Sequence, residues 1–207
     1  MKRYIFLLIF GVVALCCRDA GAQVFNAGMG GGLNIAQVEG DGFSGYNKPG
    51  GFFGLFVSTP VSEFLSARME INYSSKGSMF PTSIDNPRYY KIDLRYVEIP
   101  VLMRYSWSSG IIAEIGLSGG YLFFSREKDA GGYIPPEETL PFRKGELAAH
   151  AGAGWQFTEK ISGHARVAFS VIRVREHAGG GTYRFNWGQF NNVLSFTVQY
   201  TFLSSAF

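Results

Sequence analysis

The chain has 207 residues, 19 basic and 16 acidic, with aromatics at 16% and 27 glycines. Such a modest charge surplus carries no basic footprint for nucleic acid, and the length suits a single β domain. No segment beyond residue 22 has the roughly eighteen apolar residues of a membrane helix.

Lys2 and Arg3 precede an apolar run over residues 4–17, then Ala20-Gly21-Ala22. A basic start, a short apolar middle and an A-x-A site read as a secretory signal peptide over residues 1–22, cleaved near Ala22. Cys16 and Cys17 fit a lipoprotein signal poorly, with Leu15 and Cys16 as neighbours, and cleavage after Ala22 removes both thiols. It also removes Lys2, Arg3, Arg18 and Asp19, so 19 basic and 16 acidic residues become 16 and 15. The mature domain, 23–207, is close to neutral.

The mature chain reads as eight strands, near 24–37, 49–59, 64–76, 92–107, 110–126, 144–158, 162–176 and 192–202. The first two are glycine-rich and do not reveal their faces. In the third, Ala67, Met69, Ile71 and Tyr73 alternate with Ser66, Arg68, Glu70 and Asn72. The fourth is the clearest: Val97, Ile99, Val101, Met103, Tyr105 and Trp107 share one face, Glu98 and Arg104 the other. Period-two alternation puts each set on its own side of a strand. Its length exceeds an ordinary globular strand and suits a tilted membrane-spanning one. Pro100 cannot donate to a ladder, so a bulge is expected there. In the fifth, Ala113, Ile115, Leu117 and Tyr121 oppose Glu114 and Ser118. The last three repeat the pattern, with His150, His164, Arg166 and Ser170 on polar faces.

Long polar connections near 38–48, 77–91, 127–143 and 177–191 alternate with short turns near 60–63, 108–109 and 159–161. Short periplasmic turns and long external loops are the plan of an outer-membrane barrel. The fold expected is all-β, an eight-stranded up-and-down antiparallel transmembrane β-barrel, located in the outer membrane. Eight strands enclose a lumen only wide enough for side chains. Arg68, Glu70, Glu98, Arg104, Glu114, His150 and Arg166 are therefore expected to fill it as a paired network, because an unpaired buried ion is too costly.

The sequence also resembles the PorT-type family of outer-membrane β-barrel proteins. Gly30-Gly31-Gly32-Leu33-Asn34, Tyr96-Val97-Glu98-Ile99-Pro100 with Arg104-Tyr105, Gly116-Leu117-Ser118-Gly119-Gly120-Tyr121 and Gly152-Ala153-Gly154 carry the likeness. It implies an outer-membrane barrel, in a family whose members of known role serve secretion or surface-motility assemblies. It implies no catalytic site. Phe207 is the terminal aromatic, but residues 203–206 break its phase with Phe202, a departure from the usual outer-membrane ending.

Chemistry is sparse. His164, Arg166 and Ser170 share a face with His150 on the preceding strand, and with Glu114 or Glu98 they would make a lipid deacylase. Inward-pointing residues do not reach lipid, so membership of the lumen network is the reading adopted. Gly28 to Gly32 lack the following helix of a phosphate loop. His150, His164 and His177 do not cluster as metal ligands, and Asp85-Asn86 reads as a solvated turn. No metal or other cofactor is expected. Tyr183, Arg184, Phe185, Trp187 and Phe190 in the last long loop form a candidate partner-binding set, and Arg173 and Arg175 are read as outward-facing at the outer rim. Expected partners are outer-membrane lipid and other envelope proteins. The function expected is a structural or interaction component of the cell envelope. A lipid-modifying enzyme, a narrow channel and a soluble lipocalin-like ligand-binding barrel are the alternatives.

Overall fold

A computed structural model describes residues 25–43, 45–80, 89–176 and 188–203. The signal-peptide region, Asp85-Asn86, His177 and Phe207 lie outside them. Nine strands run in order: β1 (Asn26–Glu39), β2 (Lys48–Pro60), β3 (Leu65–Phe80), β4 (Tyr90–Ser106), β5 (Ile111–Asp129), β6 (Gly132–Ile134), β7 (Gly145–Gln156), β8 (Ile161–Ser170) and β9 (Phe190–Leu203). The sheet closes into a ring of eight, β1-β2-β3-β4-β5-β7-β8-β9, with β9 pairing back to β1 and each neighbour antiparallel. The short β6 extends β5 as a hairpin outside the ring.

Four-residue turns over 61–64, 107–110 and 157–160 lie at the end that holds both termini. All the long connections lie at the other end. This is the loop segregation expected from the sequence.

The outward face is apolar. Along β4, exposed Val97, Ile99, Val101, Met103 and Tyr105 alternate with inward positions, and Trp107 follows. From Val97 to Trp107 the strand rises roughly 33 Å, which a tilt of about 40° reduces to roughly 25 Å, the height of the apolar band of an outer-membrane barrel. Phe64, Tyr105 and Trp107 cluster at the short-turn end, with Tyr105 and Trp107 edge to face at 4.5 Å. Tyr73 and Phe123 meet at 6.2 Å toward the long loops. Aromatics at both rims form the interfacial girdles of such barrels.

The first two strands, whose faces the sequence left open, are resolved by volume. A Cβ on Gly28 would lie 2.3 Å from the Phe56 ring, and one on Gly54 only 1.9 Å from Asn72 Oδ1. Inward glycines on β1 and β2 make room for large side chains directly opposite on the neighbouring strand, Phe56 beside Gly28 and Asn72 beside Gly54, while Met29, Leu33, Phe53, Leu55 and Val57 face out.

Pro100 departs from expectation. No bulge forms there: Met69 pairs with Val101 and Asn72 with Glu98, so β3 and β4 stay in register. Only the two intervening pairs drop out of the ladder, as they would if one bond, from the absent N–H of Pro100 to the Glu70 carbonyl, were missing. The bulge lies instead at Arg95/Tyr96, opposite β5, with Phe123 as the extra residue. It switches the phase of β5, so Leu122 and Glu127 are both buried.

β8 also ends earlier than the sequence suggests. It stops at Ser170, and the chain then folds over the mouth, where Arg175 makes an isolated bridge to Gln189.

Candidate functional site

Alternation alone sends the polar residues of every strand into the lumen, where two charged clusters form. Near the short-turn end, Arg166 on β8 is the hub. Its Nη1 and Nη2 reach both oxygens of Glu70, at 2.8 and 3.0 Å, and its Nε donates to Glu114 at 2.7 Å. A two-pronged guanidinium–carboxylate pair is among the strongest of such contacts. Arg68 approaches Glu70 at 3.1 Å, donates to Gln199 at 2.8 Å and lies over the Phe56 ring at 3.4 Å. Arg104 lies 3.5 Å from Glu114.

Toward the long loops, Lys76 on β3 bridges two carboxylates. It contacts Glu98 on β4 and Glu146 on β7, the latter at 2.7 Å. Ser170 and Asn191 also donate to Glu146, and Asn191 lies 3.3 Å from the Tyr96 hydroxyl. Across the two clusters, Arg68, Lys76, Arg104 and Arg166 balance Glu70, Glu98, Glu114 and Glu146. Six of the seven residues read from the sequence as a lumen network thus lie in these clusters. His150 lies inward as well but bonds Ser118, at 2.7 Å. Lys76 and Glu146 were missed, although both hold inward, even-numbered positions that the alternation of their strands would have marked.

Above the clusters the lumen becomes apolar. Val38, Ile92, Leu94, Tyr96, Leu122, Phe142 and Val174 pack together as a stopper, with Phe142 and Val174 supplied by the long connections. Phe43 stacks on Phe80 and Tyr90 beside it. Burial pushes the nearby Asp41 carboxyl above its usual range, against hydrogen bonds from Ser78 and the Phe43 amide. Arg175 belongs to this inner assembly. It is 2% exposed, bonds Glu127 at 3.0 Å and lies over Phe142. Its reading as an outward rim residue is therefore corrected: with β8 ended at Ser170, alternation no longer governs position 175. Arg173 is half exposed and pairs with Glu176 at 3.2 Å.

The candidate partner set is likewise altered. Phe190 opens β9 and is buried, so it is not presented to a partner. Tyr183, Arg184, Phe185 and Trp187 lie outside the described residues.

The deacylase arrangement does not assemble. Ser170 and His164 are six residues apart on one strand, roughly 20 Å, and Ser170 is held by Glu146. His164 instead has Ser162 at 3.0 Å and Glu114 at 3.6 Å. Arg104 Nη2 sits 3.3 Å from the same Nε2 that faces Ser162, occupying the lone pair a general base would need. Among the described residues no group of three or more His, Cys, Asp or Glu is placed to hold a metal ion.

A closed eight-stranded ring, an apolar belt between aromatic girdles and a polar interior define the class of outer-membrane β-barrels. The chain belongs to the outer membrane protein beta-barrel domain family, whose pattern matches residues 21–175. Solved structures agree on the fold. Ail of Yersinia pestis, in complex with the heparin analogue sucrose octasulfate, is similar with a TM-score of 0.50 at 13% identity, over 87% of this chain and 99% of that one. Neisserial surface protein A is similar with a TM-score of 0.50 at 12% identity, over 86% and 97%. Among curated proteins none matches the sequence.

Proposed function

We propose that the chain, secreted by a signal peptide over residues 1–22, is a non-enzymatic structural or interaction component of the envelope. The proposed setting is a secretion or surface-motility assembly of the kind that PorT-type barrels serve. The observation that carries this reading is the lumen: four cations and four carboxylates are engaged with one another beneath an apolar stopper. The lumen charges of the described residues face one another, which directs the reading to the loops and the outer rim.

The experiment is a mild-detergent pull-down of the tagged protein from separated outer membranes, run unboiled and boiled on a gel. A heat-dependent mobility shift together with a fixed set of co-purifying envelope proteins is expected. A shifted barrel recovered without any partner would overturn the assembly role. Lipid hydrolysis by the purified barrel would favour the enzyme instead.

A further inference from the structure

The upper ends of β4 and β5 carry an outward surface that neither the lumen nor the belt explains. Beyond Val97, the outward positions of β4 change from apolar to Arg95, Asp93 and Lys91. The bulge at Arg95/Tyr96 resets β5 so that Phe124 stands opposite Arg95, Arg126 opposite Asp93, and Lys128 opposite Lys91. Four cations and a single carboxylate thus share one face, and Asp93 is itself divided between Arg95 at 3.5 Å and Lys48 at 3.2 Å. Among the described residues, Lys91, Arg126 and Lys128 make no ion pair.

One arrangement here is unfavourable without an anion, and a second gathers cations on one ring. Lys91 and Lys128 are a directly opposed like-charge pair, which destabilises a sheet. Arg95 and Arg126 both lie against the one ring of Phe124, at 4.4 and 5.2 Å, concentrating positive charge on an apolar support. The height matters as much as the charge. Arg95 is two residues past Val97, roughly 7 Å along the strand, and the girdle residues Tyr73, Tyr121 and Phe123 lie just below. That is the level of lipid headgroups on the side of the long, external loops.

We propose that this face is a docking surface for phosphate groups of an outer-leaflet glycolipid. Lys91, Arg95, Arg126 and Lys128 hold the phosphates, while the apolar wall below takes the acyl chains. Guanidinium and ammonium groups bind phosphate through charge-assisted hydrogen bonds. The inference rests on the barrel's place in the outer membrane and not on its proposed partner role.

Native mass spectrometry of the detergent-folded full-length protein tests it, using bis-phosphorylated lipid A and fully dephosphorylated lipid A as probes. The wild type should bind the phosphorylated lipid at least about tenfold more tightly. The Arg126→Gln/Lys128→Gln variant should lose about that factor while keeping its heat-dependent gel shift, at about 1.4 kcal/mol per tenfold. Lys160→Gln, which removes a charge from a short turn at the opposite end, should bind as the wild type does. Equal binding of the two lipids, an unaffected double variant, or an equal loss in Lys160→Gln would each overturn the proposal.

Discussion

Replacing Arg166 with methionine is expected to destabilise the barrel by about 3–5 kcal/mol, the scale for stripping one partner from a buried charge network. The reason is local. Glu70 and Glu114 both lean on this one guanidinium, three of whose nitrogens face them at 2.7 to 3.0 Å. Without it Glu70 is left with Arg68 at 3.1 Å and Glu114 with Arg104 at 3.5 Å, longer contacts in a lumen too narrow to hydrate either carboxylate. Arg166→Lys should fall between the two, because an ammonium cannot make the two-pronged contact with Glu70. A triple variant that also carries Glu70→Gln and Glu114→Gln should not recover the loss, because it leaves Arg68 and Arg104 buried without a carboxylate. Urea unfolding in lipid vesicles, followed through the fluorescence of Trp107 and Trp155, measures each. A loss below about 1 kcal/mol for Arg166→Met, the range of an exposed ion pair, would mean that the lumen is hydrated.

Lys76→Met is the second large effect, again about 3–5 kcal/mol. Lys76 separates Glu98 from Glu146 and lies 4.7 Å from the centre of the Tyr96 ring. Its removal sets two buried carboxylates against each other. Adding Glu146→Gln removes one of them, while Asn191 and Ser170 can still bond the amide. The double variant should therefore be more stable than the sum of the single losses implies, with a coupling on the order of 1–3 kcal/mol in a double-mutant cycle. Strict additivity in the same urea titration would contradict the bridge.

Much of this architecture is legible in the chain. The alternation of Val97 to Trp107 against Glu98 and Arg104 gives a face to both sides of β4, and loop lengths orient the barrel. What escaped has physical causes. Glycine has no hydropathy, so the faces of β1 and β2 are decided by Phe56 and Asn72 across from them. Lys76 and Glu146 lie at the ends of the strands read near 64–76 and 144–158, beside polar connections, where a charge reads as the start of the solvated rim. Pro100 needs a bulge only if its neighbour cannot tolerate one missing bond, and period two does not show which neighbour that is. Arg175 departs from the sequence reading because β8 stops at Ser170 and the chain folds inward, and Phe190 because β9 begins two residues earlier than read, paired with Glu39. Their contacts, Glu127 for Arg175 and the barrel mouth for both, depend on tertiary closure.

Conductance across a planar bilayer tests the sealed lumen most directly. Protein shown to be folded by its gel shift should give no steady current step, because the Arg166 and Lys76 clusters and the stopper around Phe142 occupy the lumen. A reproducible, steady conductance from the folded wild type would contradict the filled barrel and return the narrow channel as its function.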